Sequence, residues 1–272
     1  MVKQNKTDFN KLFVAIDIGT SKIVTMVAIL DEGKLKLIGL GISLSTGLRR
    51  GIVFNIEETV KNIQQTILEA ENMANCKITH AYIGIAGQHI NSFNSHGLVA
   101  IKSREIRQKD IDNVIEVAKA VAISSDQQFL HVIPQTYTVD KQSGIKEPLG
   151  MSGVRLEVDV HIVTGNIGAI QNIIKCVEKC NIKIDNIILE PIASSMAVLS
   201  AEEKHTGALL IDIGAGTTDL AIFNNNLICH SHIIPIAGNQ VSKDIAIALN
   251  IPIKYAENIK LEYSAATKEY IN

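Results

Sequence analysis

Apolar residues gather in short β-branched runs at residues 13–18, 23–30 and 35–42, and the polar tetrad Asp31-Glu32-Gly33-Lys34 separates the second run from the third. Runs of this kind predict three meandering strands. The period then lengthens. Asn55 precedes a segment in which Ile56, Val60, Ile63, Ile67, Ala70 and Ala74 share one face of a helix. Glu58 stands where it would close a capping box with Asn55. Residues 81–86 read as a return strand, which completes an α/β half-domain.

From about residue 88 to 164 the pattern changes. Residues 110–121 predict a short helix with Ile111, Val114, Ile115, Ala118 and Val121 inward, and residues 132–139 a strand. Residues 154–162 alternate strictly, as a half-buried antiparallel strand does. A Gly- and Pro-containing loop, 144–153, joins these two strands. The expectation is a small α+β unit whose solvated strand face suits partner contact better than chemistry. Beyond it the pattern predicts a helix at 167–180, a strand at 186–189, a helix at 191–199 and an apolar run at 209–213. A further strand at 228–236, helices at 239–249 and 255–262, and a polar tail follow.

Two of the apolar runs end alike. Asp17-Ile18-Gly19-Thr20-Ser21 and Asp212-Ile213-Gly214-Ala215-Gly216-Thr217-Thr218 each deliver an aspartate, a glycine and then hydroxyl residues. A strand-end carboxylate can hold a hydrated divalent cation. Glycines let backbone N–H groups approach phosphate oxygens, and small hydroxyls add donors. A dinucleotide fingerprint would require a third glycine and a helix, but Asp219 takes that position and Leu220-Ala221-Ile222-Phe223 continues as a strand. Gly19-Thr20-Ser21-Lys22 lacks the upstream glycine of a Walker loop. Both copies therefore read as strand–turn–strand. Either alone would be an ordinary hairpin; the pair suggests a phosphate tail gripped from two sides.

Composition narrows the class. At 272 residues, with 46% hydrophobic content, 4% aromatics and no tryptophan, the chain predicts about two domains with aliphatic cores. A net charge of −2 without a basic block argues against nucleic acid as a partner. Residues 1–6 are polar and lead into no secretory apolar segment, and no apolar run reaches the roughly 18–20 residues that span a bilayer. A soluble, cytoplasmic chain is expected. Cys76, Cys176, Cys180 and Cys229 form no C-x-x-C pair and no disulfide framework; Cys176 and Cys180, four apart on the predicted helix, read as core, and His230 and His232 read as structural.

Asp17-Ile18-Gly19-Thr20-Ser21-Lys22 resembles the first phosphate loop of the actin and sugar-kinase ATPase superfamily, and residues 212–219 resemble its second. Glu190-Pro191-Ile192-Ala193-Ser194-Ser195 is similar to its first connecting helix. Leu130-His131-Val132-Ile133-Pro134-Gln135 and Gly150-Met151-Ser152-Gly153-Val154-Arg155-Leu156 resemble the inserted subdomain of the FtsA family of bacterial cell-division proteins. Pro235-Ile236-Ala237-Gly238-Asn239 and Ala256-Glu257-Asn258-Ile259-Lys260 continue that match over nearly the whole chain.

The resemblance implies an α/β, actin-like (ribonuclease H-like) two-lobed ATPase fold with an inserted small α+β subdomain. Residues 12–87 and 165–203 would form a discontinuous first lobe, 88–164 the insert, and 204–272 the start of a second, incomplete lobe. Family members continue into a late glycine-rich nucleotide loop and a C-terminal amphipathic helix that binds membrane, and nothing in this chain resembles that helix.

The resemblance also implies ATP and Mg2+. Asp17 and Asp212 would lie near the metal. Gly19, Thr20, Ser21 and Lys22 would meet phosphate from one side, and Gly214, Ala215, Gly216, Thr217 and Thr218 from the other. Gly238 would approach the nucleotide's far side, with Glu257 and Lys260 reaching the nucleoside. Glu190, with Asp212, would orient attacking water. Plainer readings stand beside these: Lys22 as a solvated turn residue, Glu190 as an acid favoured by a helix N-terminus, and Glu257 with Lys260 as a helical charge pair. Ala215 replaces a glycine common in the family, and its methyl restricts backbone approach.

The implied role is an ATP-binding adaptor with at most slow hydrolysis. It would help assemble the FtsZ ring, tether it to the cytoplasmic side of the inner membrane, recruit later division proteins and self-associate through the insert. Two rival classes share the fold. A sugar or acetate kinase would need a catalytic aspartate and a sugar pocket, and a chaperone-type ATPase a long substrate domain after the second lobe.

Overall fold

Strands β1 (Leu12–Ile18), β2 (Lys22–Asp31) and β3 (Lys34–Leu44) form the predicted meander. The structure, a computed structural model, describes residues 12–265 together with Thr267 and Glu269; readings made on residues 1–6 and on parts of the polar tail lie outside the described residues. A two-stranded ribbon, β4 (Leu48–Arg49) and β5 (Ile52–Val53), leads into helix α1 (Ile56–Ala74). Asn55 caps α1 by accepting the Glu58 N–H at 3.2 Å, which is the Asn55 half of the expected box.

Helix α1 lies close against β2 and β3 because Gly39 and Gly41 face it. A Cβ on Gly41 would stand 1.9 Å from the Thr66 carbonyl oxygen. A buried hydrogen bond of 2.7 Å between the hydroxyls of Thr25 and Thr66 fixes the register of helix on sheet. Strand β6 (His80–Ile85) runs parallel to β1, placing the ends of both at one edge.

The insert has more strand than its sequence pattern predicts. Strand β7 (Ile90–Ala100), helix α2 (Gln108–Lys119), strands β8 (Gln127–Val139) and β9 (Gln142–Ile145), and strand β10 (Arg155–Asn166) make a four-stranded sheet ordered β7-β10-β8-β9. Strand β7 carries Asn91, Ser92, Asn94, Ser95 and His96, so it shows little apolar alternation. The expected Gly/Pro loop begins as β9.

Strand β10 departs from the half-buried expectation. Exposure alternates only as far as Asp159; residues 160–165 are buried on both faces. Leu156, Val158, Val160 and Ile162 pack on the α2 side, whereas Val163 joins the core of the first sheet. His161, on the same face as Val163, is fully buried against Ser231.

Helix α3 (Ile167–Glu178) follows, then β11 (Lys183–Leu189), which completes the five-stranded sheet β11-β6-β1-β2-β3. Cys176 of α3 lies in the core as expected, and Cys180, just beyond the end of the helix, packs against it. Helices α4 (Glu190–Val198) and α5 (Ala201–Thr206) connect to a three-stranded sheet of β12 (Ala208–Ile213), β13 (Thr218–Asn224) and β14 (Leu227–Ile234). Helices α6 (Gly238–Leu249) and α7 (Ile253–Tyr263) close the described chain. Among the described residues no helix is long and apolar enough to cross a membrane.

Candidate functional site

The duplicated turns are built by one device. In the β1–β2 turn the Gly19 N–H donates to the Lys22 carbonyl at 3.1 Å, and in the β12–β13 turn the Gly214 N–H donates to the Thr217 carbonyl at 2.9 Å. Each is strand–turn–strand, as read from the sequence. The aspartates sit at matching ladder positions: Asp17 pairs with Val24, and Asp212 with Asp219.

The two turns meet across a cleft. A Cβ on Gly216 would lie 2.7 Å from the Thr20 hydroxyl oxygen and 2.9 Å from the Arg50 Cα, so only glycine permits this approach. On the other side the Gly51 N–H donates to the Thr20 hydroxyl oxygen at 3.0 Å, leaving the hydroxyl proton free to donate elsewhere. Behind the contact lies a cavity of about 350 Å³. Asp17, Gly19, Thr20, Ser21 and Lys22 line it from one turn; Asp212, Gly214, Ala215, Gly216 and Thr217 line it from the other; Glu190 forms its floor beside Gly84.

Four carboxylates and one lysine share this space, and their ionisation reports the crowding. Burial raises Asp17, with Lys22 opposing and Asp212 adding to the rise. Glu190 is raised well above its ordinary value by burial and then by Asp17, Asp219 and Asp212. Asp219 is pushed to about 7 by burial and by Asp212. A Ser194 hydroxyl donates to Asp212 at 3.0 Å. Such a cluster holds more negative charge than its one lysine offsets, and a cation would lower all these values together.

Asp219 is the site residue that sequence reading missed. It is 3% exposed, its Oδ1 has no hydrogen-bond partner, and its Oδ2 faces the Thr217 hydroxyl at 3.4 Å. The signal was present: an apolar ladder position in the first copy, Val24, carries a carboxylate in the second. A buried unpartnered carboxylate oxygen fits a group that the cavity receives. Among the described residues no three acidic, His or Cys side chains converge tightly enough to ligate one ion directly, so the donor set suits a hydrated cation held through water.

Four sequence-derived candidates lie elsewhere. The Thr218 hydroxyl donates to the Ile236 carbonyl at 2.8 Å. Gly238 begins α6, whose first amides brace the second turn: Gly238 N–H to Gly214 O at 3.1 Å and Asn239 N–H to Ala215 O at 2.9 Å. Lys260 Nζ bonds the Gly238 carbonyl at 3.2 Å and Glu257 at 2.8 Å, and Ser242 also bonds Glu257. This group stands behind the second turn.

Comparison with known proteins adds independent findings. Residues 87–164 match the family described as "SHS2 domain inserted in FTSA", and residues 209–272 the family "Cell division protein FtsA". Cell division protein FtsA of Pseudomonas aeruginosa is 52% identical over 94% of this chain and 62% of its own length. The Neisseria meningitidis relative is 49% identical over 93% of this chain and 61% of its own length. That of Escherichia coli K12 is 40% identical over 96% of this chain and 62% of its own. The chain thus spans about three-fifths of the length of these relatives.

Among solved structures, the PilM–PilN type IV pilus biogenesis complex is similar with TM-score 0.71 and 16% identity, covering 92% of this chain and 69% of that one. MreB5 of Spiroplasma citri bound to ADP is similar with TM-score 0.51 and 17% identity, covering 96% and 65%. At these identities the likeness speaks to fold alone, and the fold is the actin-like one.

Proposed function

This chain belongs to the FtsA family of cell-division proteins, and on that premise we propose that it binds ATP with a hydrated magnesium ion between its two turns and serves as an actin-like division adaptor. The observation that carries the reading is the opposition of two identically closed glycine turns over a carboxylate cluster with an unpartnered Asp219 oxygen.

The residues take the following roles. Asp17 and Asp212 face the hydrated cation from opposite strands, with Asp219 as a third acceptor. Thr20, Ser21 and Lys22 donate to phosphate oxygens from one side, and Ala215, Gly216 and Thr217 from the other, while Gly19 and Gly214 close the two turns and leave room for the phosphate to approach the backbone. Thr218 and Gly238 hold the second turn in shape, and Glu257 with Lys260 forms the side toward the nucleoside. Glu190 faces the site of attacking water. Burial, and then the neighbouring carboxylates, raise its carboxyl well above the ordinary range, and a cation bound in the cleft would oppose that rise. The activity proposed is slow hydrolysis at most.

At the cellular level the proposal is assembly of the FtsZ ring and its attachment to the cytoplasmic face of the inner membrane, with self-association through the insert. The organisation proposed is 12–87 with 165–203, 88–164, and 204–272. A fluorescent ATP analogue titrated with magnesium and then with EDTA tests the nucleotide step. Saturable binding reversed by EDTA is expected; metal-independent or absent binding refutes the reading.

A further inference from the structure

The segment Leu130–Gln135 of β8 is bounded by two slips in its ladder with β10. Opposite β10 the ladder of β8 slips between Val163 and Thr164, leaving Leu130 outside the pairing, and again between Asp159 and Val160, leaving Gln135 outside it. A β-bulge re-aims the residue it releases. Leu130 turns into the core of the first sheet. Gln135 reaches the three-stranded sheet, where its Nε2 donates to the Ile228 carbonyl of β14 at 2.7 Å. Between them, His131 Nε2 accepts the Leu189 N–H at 3.0 Å. Ile133, on the same side as His131, packs with Ile192 of α4 and with Leu210, Ala221, Phe223 and Ile228 of the three-stranded sheet.

These contacts reach both elements that carry the inner carboxylates. Leu189 immediately precedes Glu190 and caps α4. Strand β14 pairs with β13 so that Ile233 stands opposite Asp219. Further bonds secure the same seam: Ser92 Oγ donates to Ser231 O, Asn94 Nδ2 donates to Cys229 O, and His161 Nε2 meets the Ser231 hydroxyl.

We propose that β8 of the insert is a clamp on the back of the cleft, with His131 and Gln135 as positioning residues that set Glu190 and Asp219 at their working separation. The inference deepens the nucleotide reading and rests on it for its effect on binding, while the clamp itself is a property of the chain. His131 suits the task as a neutral ring: its Nε2 accepts, so the ring proton sits on Nδ1, and burial disfavours the doubly protonated form. By linkage, whatever engages the insert and shifts β8 changes nucleotide affinity, and nucleotide changes the insert in return.

The test uses the whole chain with His131→Leu, His131→Gln and Gln135→Leu. Glutamine offers an acceptor oxygen close to where Nε2 stands; leucine offers none. Hydrogen exchange should speed up at residues 189–192 in His131→Leu and return to wild-type rates in His131→Gln. Mg-ATP affinity should fall roughly fivefold in each leucine variant, the worth of one buried hydrogen bond, and recover within about twofold in His131→Gln. If His131→Leu leaves exchange at 189–192 unchanged, or if His131→Gln is as impaired as His131→Leu, the clamp is wrong. If the wild-type protein binds no Mg-ATP, the nucleotide reading fails and the exchange results alone decide the clamp.

Discussion

Replacing Asp219 with asparagine should make the ligand-free protein more stable above neutral pH and a poorer host for magnesium. Asp219 is 3% exposed, and its carboxyl is raised from the ordinary 3.8 to about 7, first by burial and then by Asp212. A folded-state value above the unfolded one means that the folded protein holds the proton more tightly. The stability that this carboxyl contributes is therefore fully present below about pH 4 and is lost as pH rises toward 7. A rise of that size corresponds to about 4 kcal/mol, and relaxation around the charge reduces it to about 2–3 kcal/mol. Asparagine has the shape of the neutral acid and never charges. In urea unfolding, Asp219→Asn should match wild type near pH 3, begin to exceed it between pH 4 and 5, and exceed it by about 2 kcal/mol at pH 8. Added Mg-ATP should narrow the gap, because cation and carboxylate attract only in the wild type. A variant less stable than wild type at pH 8, or a difference that does not vary with pH, would refute the reasoning.

Further substitutions probe separate parts of the account. Asp17→Ala and Gly214→Val should each weaken Mg-ATP binding in calorimetry. The first removes a carboxylate from the cation's surroundings; the second places a side chain 3.2 Å from the Thr217 carbonyl oxygen and blocks backbone approach. Glu190→Gln should leave Mg-ATP affinity within about threefold but slow single-turnover phosphate release about a hundredfold. Steady-state release by the wild type near 10 per second, typical of metabolic enzymes, would favour a kinase instead. Gly41→Ala should cost about 3 kcal/mol in chemical unfolding, because its methyl would meet the Thr66 carbonyl oxygen.

The parts of the fold written in strong periodicity were legible. The β1–β3 meander, α1 with its Asn55 cap, and both glycine turns follow from patterns a few residues long. Strand β7 was not, because a strand held between β10 and the polar β14 seam needs few apolar residues of its own. Strand β10 misled in its second half: alternation at 154–162 reads as one wet face, but His161 and Val163 are covered by other elements of the fold. In the site, Asp17, Glu190 and Asp212 were readable from spacing and resemblance, and the structure brings them together. Asp219 escaped because it sits within a strand, where an aspartate looks like a solvated position. Only the pairing of Asp212 with Asp219 across β12 and β13 shows it facing the cavity. The slips that free Leu130 and Gln135 depend on the partner strand and leave no local mark.

The central claim is that two turns, distant in sequence, grip one metal–nucleotide complex. Substituting paramagnetic Mn2+ for magnesium with ATP, and recording amide spectra of the labelled protein, tests it most directly. The account predicts that the Gly19 and Gly214 amide signals both broaden at substoichiometric Mn-ATP, while signals from the far end of the insert near Ser103 stay sharp. Broadening of neither turn, or of one turn alone at saturation, would contradict it.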